Sequence, residues 1–466
     1  MKIILFIYLI SSIFSYVIFP LKKDMIKNSS SYNNKQKDFF DSLLNSGLYI
    51  ILNIGSQKTA IKTFLIQNKV ELIIAGKNII NHKYDETEST TYNMTNNNKI
   101  EIDVSMYEEG IFSRDNFHIL NNNNEINIFY MDFVLGTKSS IAYKNIKEAQ
   151  VGLHLPLPKS HPEYNLIINL KNTNASSSCN WYLNFDNFGK GEGKMIVDAF
   201  PHTLNNKKYN EKNYVKTYAI DRNYAVIWGF KFSSIYYGNQ NQKLMLSLDL
   251  RAHFEFDYGI ISAPLQVGEI LQQLFFEKYI SQNICFKEKI GVYGNYFFYC
   301  KKDQKLDLES FDSIYFACKD LEITFELNYK DLFYIDGDYI YFLIEFSKNS
   351  IIWKFGEIFL KKYYIVFNQD EKTVGYYLNM EEEKKPKNKG NNFGEKNTQS
   401  IYSILIVIAI LIFMFVGSIF LVIYFNNKKY RKKKANELDD EYNYEPSIGN
   451  NYRDKYGLLN DNNAIN

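Results

Sequence analysis

A chain of 466 residues, 46% of them apolar, can bury one large core or two moderate ones, which excludes a small scaffold held together by disulfides or metal. Its net charge of +2, from 54 basic and 52 acidic side chains, gives no electrostatic footprint for nucleic acid. The excess of Tyr, Phe, Ile, Asn and Lys beside only 8 Pro is a bias that AT-rich coding explains, and Asn121 to Asn124 then read as loop.

Residues 1–15 fit a signal peptide: Lys2 supplies the positive end, IILFIYLI a short apolar stretch and Ser15 the small residue before cleavage. An uncleaved anchor fits less well, because the apolar run is short for a spanning helix and Pro20, Lys22 and Lys23 follow closely. Residues 16–45 are expected as a pro-segment or linker, being polar and Asn/Ser-rich from Asp24 onward.

The stretch from Leu48 to Ile74 places β-branched and aromatic runs on either side of Gly55-Ser56-Gln57-Lys58, which predicts a hairpin feeding a layered β core. Short β-type runs separated by Asn, Gly and charged turns continue to Tyr377, so helices are the minority. Leu265 to Ile280 is the best helical candidate, with apolar residues at three- and four-residue steps after Ser262-Ala263-Pro264.

Residues 381–400 are polar and charged, as a stalk would be. Residues 401–425 carry no charge and are long enough to cross a bilayer with some tilt, predicting one C-terminal transmembrane helix. Six basic residues between Lys428 and Lys434 follow as a stop-transfer signal, so the expected arrangement is single-pass type I, with the large body lumenal or extracellular. The remainder, residues 426–466, is too polar to form a core and is expected to be a disordered cytosolic tail. Within it Tyr456-Gly457-Leu458-Leu459, preceded by Asp454, has the form of a sorting signal for cytosolic adaptors, in keeping with the secretory pathway, endolysosomes or the cell surface.

Four cysteines in an oxidising compartment permit two disulfides. Cys285 and Cys300 are the expected pair, on either side of a turn at Gly291 to Gly294, whereas Cys179 and Cys318 are left open between pairing and remaining free. No metal site is expected, since CxxC is absent and the six His are scattered, and no cofactor motif is present. Asn28, Asn93 and Asn174 each begin a glycosylation sequon, which requires surface positions. Gly189 to Lys194 is glycine-rich but lacks P-loop spacing and reads as a turn, and neither a GxSxG elbow nor a locally activated Cys is found.

Several blocks, in order along the chain, resemble the pepsin-like aspartic peptidases. Phe19-Pro20-Leu21-Lys22 is similar to the start of that family's pro-segment, Ile54-Gly55 to the opening of its first hairpin and Leu72-Ile73-Ile74 to the close of its first active-site loop. Tyr84-Asp85 with Ser89-Thr90-Thr91-Tyr92, then Gly110-Ile111-Phe112 to Asp115, match the segments around its flap. Ala252 and Ile260-Ile261-Ser262-Ala263-Pro264 bracket the position of its second catalytic loop. The most specific block runs from Trp353-Lys354-Phe355-Gly356-Glu357-Ile358-Phe359-Leu360 through Tyr363-Tyr364 and Val366-Phe367 to Gly375. The resemblance implies a mostly β, bilobal acid-protease fold over residues 46–380, with a first lobe to about 205, a second from about 206, and a cleft between them.

Catalysis in that family needs two carboxylates that share one proton. Counted without gaps, the first catalytic position falls on Ile66 and the second on Glu255, with Asp257 a candidate only if a deletion is allowed. The flap positions fall on Asp103, Val104, Ser105, Met106 and Tyr107, with Asp103 where the family places a tyrosine. What the resemblance therefore implies is a membrane-anchored homologue that has lost peptidase chemistry and binds a peptide or protein through its cleft or surface. The alternatives are an active aspartic endopeptidase with a rebuilt dyad, and a structural surface glycoprotein.

Overall fold

The apolar runs become 27 strands among the residues that the computed structural model describes: 16–24, 35–44, 46–79, 83–102, 107–121, 123–139, 147–156, 160–186, 188, 193–222, 225–238, 244, 250–291, 294–303, 305–318, 320–348 and 350–378. The first part of the chain gives β1 (Val17–Asp24), β2 (Gly47–Ile54), β3 (Thr59–Ile66), β4 (Leu72–Ala75), β5 (Asn93–Glu101), β6 (Tyr107–Asn121), β7 (Ile126–Ser139), β8 (Ala149–Gly152), β9 (Asn180–Asn184) and β10 (Gly193–Val197). The second gives β11 (Tyr214–Tyr218), β12 (Ile220–Arg222), β13 (Ala225–Ile227), β14 (Gly229–Lys231), β15 (Ser234–Tyr237), β16 (Arg251–Phe254), β17 (Ile261–Pro264), β18 (Cys285–Ile290) and β19 (Asn295–Lys301). It ends with β20 (Ile314–Cys318), β21 (Ile323–Leu327), β22 (Phe333–Asp336), β23 (Tyr339–Phe342), β24 (Ile344–Ser347), β25 (Trp353–Phe355), β26 (Val366–Asn368) and β27 (Thr373–Tyr377).

The β2–β3 hairpin forms where its composition requires one. Gly55 takes φ +80° at the turn and Lys58 φ 58°, and the Lys58 amide closes the turn on the Gly55 carbonyl at 3.1 Å. A side chain at Gly55 would also crowd Ser89 Oγ at 3.2 Å, so the position requires glycine twice over.

One unit of topology occurs twice. In the first part β3 runs parallel to β8, β8 antiparallel to β4, and β4 parallel to β7. In the second, β16 runs parallel to β25, β25 antiparallel to β17, and β17 parallel to β24. An antiparallel neighbour flanks each unit on the same side, β2 against β3 and β14 against β16. The two units lie in separate sheets of thirteen and nine strands, the larger of which also gathers β1, β9 and β10 with the late strands β11, β26 and β27. Strands from both parts of the chain thus share one sheet.

Within the stretch expected as a pro-segment or linker, residues 16–24 and 35–44 pack into this structure. β1 lies between β10 and β2 in the larger sheet, with Val17, Phe19 and Leu21 buried. The helix Lys35–Leu44 turns Phe40 onto Phe297, ring centroids 3.9 Å apart, and Phe39 onto Tyr341. Alternation inside β1 and two aromatic residues in the helix supply the apolar contact; averaging over the Asn/Ser-rich stretch hides both.

The expected helix after Pro264 spans Leu265 to Ile280, with a π-helical turn at Gln272–Phe276. Cys285 and Cys300 form a disulfide between directly opposed residues of β18 and β19. Cys179 and Cys318 are both free and buried. Among the described residues no helix is long and apolar enough to cross a membrane. The predicted signal peptide (1–15), stalk, transmembrane span (401–425), cytosolic tail and sorting stretch with Asp454, Tyr456, Leu458 and Leu459 lie outside them, as do Asn28 and residues 189–192.

Candidate functional site

The duplicated unit gives each candidate catalytic position a structural address. Ile66 ends β3 opposite Gly152 in the parallel ladder with β8. In the second unit the last registered pair of β16 and β25 is Phe254 with Phe355, so Glu255 stands opposite Gly356 as Ile66 stands opposite Gly152. The loops that follow are of equal length: five residues lie between Ile66 and Leu72, which opposes Val151, and between Glu255 and Ile261, which opposes Phe355. Each glycine also lies tight against the same station of its loop. A side chain at Gly152 would meet the Lys69 carbonyl at 2.4 Å, and one at Gly356 the Tyr258 carbonyl at 2.3 Å.

Hydrogen bonds tie the two stations together. The Leu153 amide donates to the Ile66 carbonyl at 2.8 Å, and the Leu153 carbonyl in turn accepts Trp228 Nε1 at 2.5 Å. Trp228 immediately precedes β14 and belongs to the second unit, where its carbonyl accepts the Phe254 amide at 3.0 Å. From the other side the Leu48 amide donates to the Phe256 carbonyl at 3.4 Å, and Phe256 packs on Trp181 at 5.4 Å.

The two stations carry opposite chemistry. Ile66 is 6% exposed, follows the fully buried Leu65, and can neither hold nor move a proton. Gln67, beside it, is buried with neither amide atom in a hydrogen bond among the described residues. At the second station the Glu255 carboxylate lies 3.5 Å from Lys354 Nζ of β25. Burial pushes the Glu255 carboxyl up to about 7, against the attraction of Lys354 and with the repulsion of Asp257. Asp257 is raised as well, again by burial, with Lys147 and Lys354 opposing. Burial pulls the Lys354 ammonium down, but Glu255, Tyr258 and Asp257 outweigh it and keep it charged; it also sits 5.0 Å from the Tyr258 ring centroid.

This cluster can retain a proton on Glu255 near neutrality and present a fixed cation beside it. Ile66 supplies no carboxylate at the first station to share that proton. Lys354 was visible in the sequence only as part of a block. Comparing Ala149-Gln150-Val151-Gly152 with Trp353-Lys354-Phe355-Gly356, two short stretches ending in glycine, places Gln150 and Lys354 at matching stations.

Of the flap positions, Asp103, Val104, Ser105 and Met106 lie outside the described residues. Tyr107 is fully buried and donates its hydroxyl to the Lys147 carbonyl at 2.5 Å, which makes it an anchor at the base of that segment. The block around Tyr84 has a structural explanation. Tyr84 and Thr91 both donate to the fully buried Asp115 carboxylate at 2.5 Å, and the Asn116 amide adds a third bond at 2.7 Å. Asn93 and Asn174 are exposed, as their sequons require. Among the described residues no group of His, Cys, Asp and Glu is arranged to hold a metal ion. No known family model and no curated protein matches this chain.

Proposed function

We propose that this chain is a membrane-anchored, bilobal pepsin-like protein that has lost peptidase chemistry and binds a peptide or protein through the cleft between its lobes. The observation that supports the reading is the pairing of Ile66 with Glu255 at equivalent stations of a duplicated strand–loop–strand unit, one apolar and buried, the other ion-paired with Lys354. A two-carboxylate mechanism requires an acid at each station. Buried amide groups at Gln67 and a cation at Lys354 suit hydrogen bonding to a peptide backbone or a carboxylate, and binding needs no shared proton.

The test is a peptide-cleavage assay on the purified chain at acid and neutral pH with a pepstatin control. No turnover is expected, while a peptide library yields ligands whose binding weakens in Lys354→Ala. Pepstatin-sensitive turnover would sink the proposal and favour an aspartic endopeptidase with a rebuilt acid pair, a reading that the proton-retaining Glu255 makes worth testing. Type I topology is checked separately, by glycosidase sensitivity of Asn93 and Asn174 in sealed membranes together with protease sensitivity of the C-terminal tail.

A further inference from the structure

The hairpin of β6 and β7 ends in an exposed apolar stripe that no other described element covers. Ile126, Ile128 and Tyr130 are 56%, 57% and 43% exposed, among the most exposed large apolar residues described. All three lie on one face of β7, opposite Leu120, His118 and Asn116 of β6.

Backbone parity makes this stripe an open edge. β7 pairs with β6 along its whole length, but on its other side it meets β4 only from Val134 to Gly136. At Asp132 that outer side is closed by a side chain: the Asp132 amide donates to Asn169 Oδ1 at 3.4 Å, and Asn169 Nδ2 donates to the Asp132 carbonyl at 3.2 Å. Asp132 therefore points both backbone groups outward, and the Gly136 carbonyl points the same way, accepting the Gly76 amide at 3.0 Å. The ladder with β6 is regular from Leu120–Ile126 to Arg114–Asp132, and outward-pointing groups alternate along a strand. Tyr130, Ile128 and Ile126 thus also direct their amides and carbonyls outward, where no described residue pairs with them. Beyond Ile126 the edge ends in the turn Asn121 to Glu125, closed by the Asn121 side chain on the Glu125 amide.

We infer that the β7 edge from Ile126 to Tyr130 is the contact through which two copies of this chain pair, strand to strand, about a two-fold axis at Ile128. The edge is capped at both ends and is symmetric about that residue. In antiparallel self-pairing each outward group at 126, 128 and 130 finds a partner, Ile126 faces Tyr130 of the second copy, and Ile128 faces itself. The run Ile126-Asn127-Ile128-Phe129-Tyr130 carries no charge, so self-pairing sets no like charges opposite one another. An uncovered apolar edge of this kind is what folded chains otherwise block with charges or proline.

Full-length protein in detergent, followed by sedimentation across a concentration series, is expected to show a reversible monomer–dimer equilibrium. Ile126→Lys and Tyr130→Glu are each expected to weaken it by about tenfold or more, and combining them in one chain to restore it, because the new lysine of one copy then faces the new glutamate of the other. Ile128→Cys should give a covalent dimer under oxidation and Asn127→Cys, on the opposite face, should not; Cys179 and Cys318 are buried and Cys285–Cys300 is already bonded, so they do not interfere. Thermal unfolding of each variant confirms that the fold is kept. A chain that remains monomeric at every concentration, or a dimer indifferent to these substitutions and without the Ile128→Cys cross-link, overturns the inference. Capture of a synthetic INIFY peptide by a chain that stays monomeric would assign the edge to a different partner and overturn it as well.

Discussion

At the level of single residues, only one of the two stations responds to proton concentration. Glu255 is raised from 4.5 to about 7, so between those values the folded chain holds a proton that the unfolded chain has released. Stability contributed by this group is therefore present below about pH 4.5 and lost as pH rises through 7. With 18% of the side chain exposed, solvent screens part of the effect, leaving a loss on the order of 2 kcal/mol. Glu255→Gln removes this titration, and its denaturation midpoint should fall less than that of the parent across the same window, the buried Asp257 supplying what remains. Ile66→Asp does the reverse and creates a pH dependence where there was none. A carboxylate at a 6% exposed apolar station should cost roughly 2–4 kcal/mol at pH 7 and markedly less below pH 4, where the acid is neutral. If urea unfolding of Ile66→Asp shows no such pH dependence, the station is wetter than its burial indicates.

At the level of elements, the disulfide offers a direct measure. Cys285 and Cys300 close a loop of 15 residues between β18 and β19, and Cys285→Ser with Cys300→Ser should lower stability by about 3 kcal/mol or less, seen as a reduced urea midpoint. This pair, the β2–β3 hairpin and the helix after Pro264 were legible in the sequence because each depends on nearby residues: a turn, a period, a short spacing. The duplicated unit was not, since parallel pairing of β3 with β8 and of β16 with β25 joins strands far apart in the chain. Nor was the partnership of Glu255 with Lys354, which exists because the β16–β25 ladder sets Lys354 opposite His253, two residues from Glu255. The positions of Ile66 and Glu255 could be counted from flanking blocks, but their equivalence needed the register. The open edge of β7 escaped sequence reasoning altogether, because alternation of Ile126, Ile128 and Tyr130 reads as a buried face until the strand is seen to outrun its neighbour β4.

For the whole molecule, the decisive element is the first one. A pro-segment that is removed leaves a stable body behind, yet β1 fills the gap between β2 and β10, and its loss would divide the thirteen-stranded sheet at that point. Val17, Phe19 and Leu21 are each at most 3% exposed, and at about 1.5–3 kcal/mol for each buried side chain their burial alone amounts to roughly 5–9 kcal/mol. That is comparable to the whole stability of an ordinary domain, about 5–15 kcal/mol, before the ladder bonds of two strands are counted. Two further ties would go with it: Lys23 Nζ on the buried Glu357 carboxylate at 2.7 Å, and the Gly259 amide on the Leu44 carbonyl at 3.3 Å, beside the second station. A chain beginning at Ser46 should therefore fail to accumulate as a soluble protein, or unfold without a cooperative transition, whereas one beginning at Tyr16 should melt like the full body. The N-terminus of mature protein, read by sequencing, decides the matter in the cell. A start at or near residue 16 keeps β1 in the sheet. A start beyond residue 45 would mean that a segment wedged between two strands is withdrawn after folding, and that the body holds together without it.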